Sequence, residues 1–202
     1  MKTIYLASKS PRRKELLRQA GIPFELLPLR VHPVERRDVD ETPLAAERAA
    51  DYVARIARLK AEAAIRIMTT RHLTHRLVLA ADTTVVLDGM IIGKPANAED
   101  AMRILSRLSG HTHDVLTAVA VANTKQVQCA LSKSEVTFRK LDESEIRQYV
   151  ASGEPLDKAG AYAIQGRAAV FLSQLCGSYS GVMGLPLFET AQLLKEFETP
   201  IL

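Results

Sequence analysis

Residues 77–92 read LVLAADTTVVLDGMII, two apolar and largely β-branched runs separated by the dipeptide Asp88-Gly89. Asp-Gly between apolar runs is a strong signal for a two-residue hairpin turn. The stretch therefore predicts an antiparallel hairpin over Leu77–Ile92. Asp82 interrupts the first run, where a carboxylate is costly to bury without a partner.

Helix and strand signals alternate on both sides of this hairpin. Short apolar runs predict further strands at Thr3–Ala7, Phe24–Leu29, Asp114–Ala122, Glu135–Arg139 and Val170–Leu175. Capping residues predict helices from Ser10-Pro11 to Gly21, from Thr42-Pro43 to about Thr69, from Asn97 to Gly110, from Asp142 to Val150 and from Pro186 onward. The polar stretches His32–Glu41 and Gly153–Gly166 predict loops. Hairpins and helices in this order predict an α/β fold with a mixed twisted sheet flanked by helices, rather than a strict βαβ repeat.

The composition is typical of a globular protein, with 47% hydrophobic and 25% charged residues. A net charge of +4 suits an anionic ligand, but no long Lys/Arg run supports a specific nucleic-acid partner. No apolar run approaches the length of a membrane span and the first residues do not form a signal peptide, so a cytoplasmic location is expected. Cys129 and Cys176 make neither a disulfide framework nor a zinc site, and both are expected in the core.

The segment Ser8–Arg13, SKSPRR, places cations at the start of a predicted helix. The positive end of the helix dipole disfavours added cations there, whereas a phosphate would accept the free N–H groups and bind both arginines. The segment therefore indicates an anion site at Ser8, Arg12 and Arg13. A plain Ser-Pro cap with solvated arginines remains an alternative.

Asp82 needs a partner, which is a metal ion, a lysine or arginine, or a structural hydrogen bond to the backbone. A carboxylate at such a position also accepts a proton from water. Lys60 and Lys94 are the candidate partners. Lys60 falls within an apolar helix stripe that includes Val53, Ile56, Ala63 and Ala64. The alternatives are a lysine that extends to the edge of the stripe and, for Lys94 in Gly-Lys-Pro, an ordinary turn residue.

The loop Gly153–Gly166, GEPLDKAGAYAIQG, is unusually long and rich in small residues. Long ordered loops are commonly functional, and the amide of Gln165 both donates and accepts, so it suits the edge of a nucleobase. A flexible surface loop is the alternative. His111 and His113 alternate and would share a strand face, but no third metal ligand is evident, so structural or surface roles are favoured.

Six segments resemble the Maf family in order and spacing: LASKSPRRKELL, LAADTTVVLDG, GKP, LSGHTHDVLTAVAV, GEPLDKAGAYAIQG and GSYSGVMGLPLFET. The resemblance covers nearly the whole chain. It implies a single inosine-triphosphatase-like (Maf/Ham1) domain over residues 1–202, with two lobes around a cleft, and a homodimer. Members of the family are nucleoside triphosphate pyrophosphatases that use a divalent metal, magnesium or manganese. DKAGAYAIQG followed by GSYS is similar to the branch that acts on dTTP and UTP, and a modified pyrimidine nucleotide is a further candidate substrate.

The resemblance also implies roles for individual residues. Asp82 matches the catalytic carboxylate and a metal ligand, with Lys60 and Lys94 beside it in the site. The remaining matches are substrate-binding or specificity positions, namely Ser8, Arg12, Arg13, Thr83 and Gln165.

Two positions depart from the family pattern. An acidic pair that many members carry is replaced by VHPVERR, so Glu35, Asp38, Asp40 and Glu41 all remain candidates for a second metal contact. Ala163 stands where glycine is usual. The alternative function is a nucleotide-binding regulator of septum formation or cell division without significant turnover, and nucleic-acid binding through the basic surface is a third possibility.

Overall fold

The computed structural model describes residues 2–30, 38–199 and 201. Within them the strands are β1 Ile4–Leu6, β2 Phe24–Leu26, β3 Val78–Leu87, β4 Met90–Ile92, β5 Thr112–Ala122, β6 Val127–Phe138 and β7 Leu172–Cys176. The helices are α1 Pro11–Gln19, α2 Ala49–Thr70, α3 Ala98–Leu108, α4 Glu143–Ala151, α5 Tyr179–Met183 and α6 Leu187–Glu196. Three 3₁₀ turns, Glu154–Asp157, Ala159–Ala161 and Arg167–Phe171, lie between α4 and β7. None of these helices combines the length and apolar character needed to cross a membrane.

The strands form one mixed sheet in the order β2-β1-β3-β5-β6-β7, with β4 paired to β3. β1 runs parallel to β2 and β3, whereas β3/β4 and β6/β7 are antiparallel. The predicted hairpin is confirmed, with Leu87 opposite Met90. Both turn residues, Asp88 and Gly89, have positive φ, as a type I′ turn requires. The predicted α/β class with a mixed sheet is therefore confirmed.

The chain divides into two compact units. The first comprises residues up to Asp82, Thr117–Ser132 and Gly184 onward, and the second comprises Thr83–Leu116 and Lys133–Met183. The core of the second unit contains a chain of edge-to-face rings, His113, Phe138, Tyr162, Phe171 and Tyr149. Two units agree with the expected two lobes, while the cleft and the single domain over residues 1–202 stay predictions.

Local capping and proline signals locate the starts of four helices correctly. α1 begins with Pro11 at its first position, although the Ser10 side chain makes no capping bond. The Asn97 side chain caps α3 by accepting from the Asp100 N–H, and Asp142 and Glu145 form a capping box at α4. Pro186 stands just before α6.

The predicted start of the second helix at Thr42-Pro43 is wrong, because α2 begins at Ala49. The Thr42 hydroxyl donates to Asp40 Oδ1 at 2.7 Å, and the Thr42 N–H donates to the same oxygen at 2.9 Å. A hydroxyl engaged in this local turn does not act as a helix cap. Asp40 thus overrides the cap-plus-proline pattern.

Several strand boundaries also differ from the prediction. β6 begins at Val127 rather than Glu135, and its first five residues are half-buried or exposed. β7 begins at Leu172, since Arg167–Phe171 forms a 3₁₀ turn, and β2 ends at Leu26. The short helix α5 was not predicted.

The cysteines and histidines correct two further expectations. Cys176 is exposed on β7 and Cys129 is half-buried, so neither belongs to the core, although both are free thiols. His111 is exposed and precedes β5, whereas His113 is 2% exposed within it, so the two do not share a strand face.

Candidate functional site

Asp82 is buried in β3 and forms an ion pair with Lys60 of α2. Lys60 Nζ lies 2.8 Å from Asp82 Oδ1 and 2.8 Å from Glu41 Oε1. Lys60 is only 15% exposed at its side chain, so the alternative of a lysine extending to solvent is wrong. Two carboxylates share one ammonium, and the cluster carries a formal charge of −1.

The sequence builds this contact from small residues and helical spacing. Ile56, Lys60 and Ala64 are four residues apart and lie on the same face of α2, and Ile56 and Ala64 are fully buried. Ala81 precedes Asp82 in β3 and is also fully buried. The core-facing stripe of α2 therefore delivers the Lys60 ammonium to the one charged residue of β3.

Arg13 is held in place by two oxygen acceptors. Its Nε donates to the Gly184 carbonyl at 2.7 Å, and its Nη1 donates to Ser8 Oγ at 3.3 Å. Burial of the Arg13 guanidinium lowers its pKa; Asp82 opposes that shift, and Arg12 adds to it. Arg13 is therefore fixed within the first unit, in the electrostatic field of Asp82, and is not a solvated surface arginine.

Arg12 has a different environment. Its Nε is buried and has no hydrogen-bond partner among the described residues. A buried guanidinium donor without a partner is costly, so its position is typical of a group that a ligand completes. No acidic side chain occupies the first turn of α1, which leaves the helix N-terminus and the two arginines as a site for an anion.

The donor set near Asp82 fits a hard divalent cation. Asp82 and Glu41 converge on the Lys60 ammonium, and carboxylate oxygens are the ligands that magnesium prefers. No cluster of three or more His, Cys, Asp or Glu side chains suited to a metal occurs in the described parts of the chain. Magnesium is usually held by one or two carboxylates together with water and substrate phosphates, so two carboxylates meet this requirement.

The other acidic candidates for a second metal contact are engaged elsewhere or not described. Asp38 pairs with Arg30 at 2.8 Å, and Asp40 accepts both donors of Thr42. Glu35 lies outside the described residues. Glu41 is therefore the candidate that the structure brings to the same ammonium as Asp82. Sequence reasoning left it as one of four.

Thr83, Lys94 and Gln165 belong to the second unit. Thr83 is half-buried, while Lys94 and Gln165 are exposed. The segments that carry Lys94 and Gln165 are joined, because Gly160 N–H donates to the carbonyl of Gly93 at 3.0 Å. The Lys94 ammonium forms no ion pair with any described residue.

The loop Gly153–Gly166 is packed, so the alternative of a flexible surface loop is wrong. The Tyr162 hydroxyl lies 2.8 Å from His113 Nε2, and both residues are buried. Burial lowers the pKa of His113 to about 4, against the influence of Asp114, so the imidazole is neutral at neutral pH. Ala163, the departure from the family glycine, is buried at 5% exposure within this loop.

Two contributors to these clusters carry no sequence signal. The Gly184 carbonyl that orients Arg13 is a backbone group 171 residues away in the chain. Glu154 accepts hydrogen bonds from the Tyr149 hydroxyl and the Arg167 N–H, although its sequence context suggests only a polar loop residue.

Comparison with known proteins identifies relatives over almost the full length. A family model described as "Maf-like protein" matches residues 3–197. A protein of Aromatoleum aromaticum named "dTTP/UTP pyrophosphatase" is 58% identical over 98% of this chain and 97% of its own length. Proteins with the same name from Nitrosospira multiformis and Dechloromonas aromatica are 58% and 54% identical and cover 96% and 95% of this chain and 93% and 96% of their own lengths. A solved structure of the Staphylococcus aureus Ham1 protein has a TM-score of 0.46 and 15% identity over 68% of this chain and 72% of that chain.

Proposed function

This chain belongs to the Maf family, and we propose that it is a nucleoside triphosphate pyrophosphatase that hydrolyses dTTP and UTP to the monophosphate and pyrophosphate. The observation that carries the proposal is buried Asp82, which shares the Lys60 ammonium with Glu41 in the same unit as the two arginines of α1. The names of relatives at 50–58% identity support the choice of substrate.

Arginine and lysine side chains bind the phosphates in the proposed complex. Arg13, which Ser8 and Gly184 orient, binds phosphate oxygens at the N-terminus of α1. Arg12 lies beside it and keeps a buried donor for another part of the nucleotide. Lys60 and Lys94 add positive charge that offsets the repulsion between the triphosphate and an attacking water.

Magnesium or manganese fits the proposed site through Asp82 and Glu41. When bound, the cation supplies charge neutralisation on the phosphates and on the leaving pyrophosphate. The Lys60 ammonium already brings one oxygen of each carboxylate within 2.8 Å of a common point, so both side chains can turn oxygen donors towards a cation there.

Asp82 orients a water molecule and accepts its proton. The water oxygen forms a bond to the α-phosphorus, the bond from that phosphorus to the bridging oxygen of the β-phosphate breaks, and pyrophosphate leaves. Thr83, Gln165 and Arg12 select the base by hydrogen bonds, because a base that covers these groups without pairing their donors and acceptors is strongly disfavoured.

We propose further that the protein acts in nucleotide-pool sanitation, is cytoplasmic and forms a homodimer, and that it has no specific nucleic-acid partner. The family resemblance supports the dimer, and the absence of a long basic run in the sequence supports the last statement. A mass of about twice 22.2 kDa in light scattering is the result expected for a dimer.

The test is a pyrophosphate-release screen over common and modified nucleoside triphosphates with magnesium or manganese. We expect release from dTTP and UTP, no release by Asp82→Asn, and nucleotide binding that remains measurable in that variant. Asp88→Asn makes the same chemical change at an exposed turn and is expected to keep full activity. Binding without pyrophosphate release by the unmodified protein would instead support the regulatory alternative.

A further inference from the structure

Gln165 has no side-chain anchor of its own. It is exposed, and its amide makes no hydrogen bond to another described residue. The direction of that amide therefore depends on the backbone of the residues next to it. We propose that Glu154 is a positioning residue for Gln165, and through it a determinant of base selection; this inference rests on the function proposed above.

Glu154 joins α4 to the backbone just after Gln165. Its Oε1 accepts from the Tyr149 hydroxyl at 3.0 Å and from the Arg167 N–H at 3.1 Å, and Oε2 lies 3.2 Å from the same N–H. Hydrogen bonds to an ionised acceptor are stronger than those between neutral groups. The carboxylate therefore fixes the backbone two residues beyond Gln165 to a helix of the second unit's core.

The residue between them shows how closely the carboxylate approaches. Gly166 has φ −103° and ψ −156°, an extended conformation that any residue adopts. A Cβ at this position would nevertheless lie 2.1 Å from Glu154 Oε1 and 2.6 Å from Glu154 Cδ. A side chain at position 166 would therefore displace the Glu154 carboxylate from its present position, although the backbone conformation itself accepts any residue.

The other side of Gln165 is anchored independently. The Tyr162 hydroxyl lies 2.8 Å from His113 Nε2, and Ala163 and Ile164 are buried at 5% and 7% exposure. With Glu154 removed, the chain before Gln165 keeps its contacts, while the Arg167 N–H after it loses its side-chain acceptor. Base selection by the Gln165 amide then weakens, whereas phosphate binding by the first unit keeps its own residues.

The first experiment compares substrate selectivity in Glu154→Ala, Glu154→Gln and the control Glu143→Ala. Glu143 is an exposed glutamate of α4 that pairs with Arg147. The ratio of kcat/KM for dTTP to kcat/KM for dATP is expected to fall about tenfold in Glu154→Ala. Glu154→Gln retains an acceptor for the Arg167 N–H and is expected to restore most of the ratio, and Glu143→Ala is expected to leave it unchanged.

Loss of stability alone gives a different result. A smaller folded fraction lowers the apparent rate for every nucleotide equally and does not change the ratio. An unchanged ratio in Glu154→Ala, whatever the absolute rates, would overturn the proposal.

The second experiment uses the steric relation between the two positions. Gly166→Ala alone displaces the carboxylate and is expected to reduce the ratio as Glu154→Ala does. In the double variant the added methyl group meets no carboxylate, so the ratio is expected to equal that of Glu154→Ala. A further loss equal to that of Gly166→Ala would show that the two positions act separately and would contradict the positioning role of Glu154.

A third measurement does not depend on catalysis. Amide hydrogen exchange in the nucleotide-free protein is expected to become at least tenfold faster at Arg167 in Glu154→Ala and to remain unchanged in Glu143→Ala. Unchanged exchange at Arg167 overturns the inference even if dTTP is hydrolysed. Faster exchange in a protein that hydrolyses no nucleotide refutes the proposed function instead, and leaves the backbone role of Glu154 standing.

Discussion

Lys60 serves two carboxylates at once. A lysine ammonium carries one charge, so Asp82 and Glu41 together exceed it, and removal of the ammonium leaves two adjacent carboxylates uncompensated. The same oxygens that hold Lys60 in the nucleotide-free protein are those proposed to hold a divalent cation. A divalent cation bound there would therefore compete with Lys60 for the same two carboxylates.

The competition predicts tighter metal binding in Lys60→Met, which keeps the length of the side chain and removes its charge. Manganese is expected to bind the nucleotide-free variant about tenfold more tightly than the unmodified protein, a difference of roughly 1.4 kcal/mol. Titration calorimetry in the absence of nucleotide measures this directly. Arg58→Met, at an exposed position of α2, is the matched control, and equal affinities for all three proteins would contradict the competition.

The two arginines of α1 are expected to differ in their effects. Arg13 is fixed by Ser8 and Gly184, whereas Arg12 retains a buried donor without a partner among the described residues. Arg13→Ala is expected to lower kcat/KM for all nucleotides by a similar factor, and Arg12→Ala is expected to change the ranking of substrates. Steady-state kinetics on dTTP, UTP and dATP distinguishes the two, and equal losses on every substrate for both variants would refute the division.

At the scale of elements, the loop after α4 packs closely against Val85 of β3 at Gly160. This residue has φ +70°, and a Cβ there would lie 2.7 Å from Val85 Cγ2. Its N–H also donates to the carbonyl of Gly93, one residue before Lys94. Gly160 therefore lies close to the hairpin strand at Val85 and is hydrogen-bonded to the segment that carries Lys94.

Gly160→Ala is expected to lower the free energy of unfolding by about 2–4 kcal/mol, the sum of left-handed backbone strain and overpacking. Gly153→Ala is the matched control, because Gly153 has φ +74° and a Cβ added there would meet no atom within 4 Å. It is expected to cost only the backbone part, about 1 kcal/mol. Urea denaturation measures both values, and equal losses would show that contact with Val85 contributes nothing.

Elements with local signals were predicted well. The hairpin turn at Asp88-Gly89 and the caps at Asn97 and Asp142 depend on residues within four positions, so sequence alone identifies them. The start of α2 was missed because Asp40 engages Thr42 in a competing turn. The early part of β6 was missed because its first five residues are half-buried or exposed and carry no buried apolar run.

At the scale of the whole molecule, stability depends on pH through His113. Its pKa of about 4 lies below the ordinary value of 6.5 because the imidazole is buried. As the pH falls below 6.5 the unfolded chain takes up a proton first, so stability is fully present above pH 6.5 and is lost towards pH 4.

The expected loss between those pH values is on the order of 3 kcal/mol for this one residue. His113→Gln keeps a hydrogen-bonding group for the Tyr162 hydroxyl and does not titrate. The difference in unfolding free energy between the unmodified protein and this variant is therefore expected to change by that amount between pH 7 and pH 4. A constant difference across the range, measured by urea denaturation, would exclude His113 as the cause.

The candidate site was predictable only in part. SKSPRR and Asp82 were identified because both violate a local rule, one by placing cations at a helix N-terminus and the other by placing a carboxylate in an apolar strand. The sequence did not single out Glu41 among the four acidic candidates and gave no sign of the Gly184 carbonyl. Both contacts depend on tertiary structure. The sequence therefore predicted residues that are unusual for their local structure, and missed the groups from distant parts of the chain that bind or orient the cationic side chains of the site.

The chain crosses between the two units at 82/83, 116/117, 132/133 and 183/184, and the first three crossings lie inside β3, β5 and β6. A chimera that exchanges one unit between relatives would need joints within three strands, where a slip of one residue reverses every side chain. Asp82 and Thr83 stand on either side of the first joint. The residue proposed to activate water and a residue proposed to select the base are therefore neighbours in the chain. Substrate preference is therefore better transferred between relatives by substituting single side chains than by exchanging a whole unit.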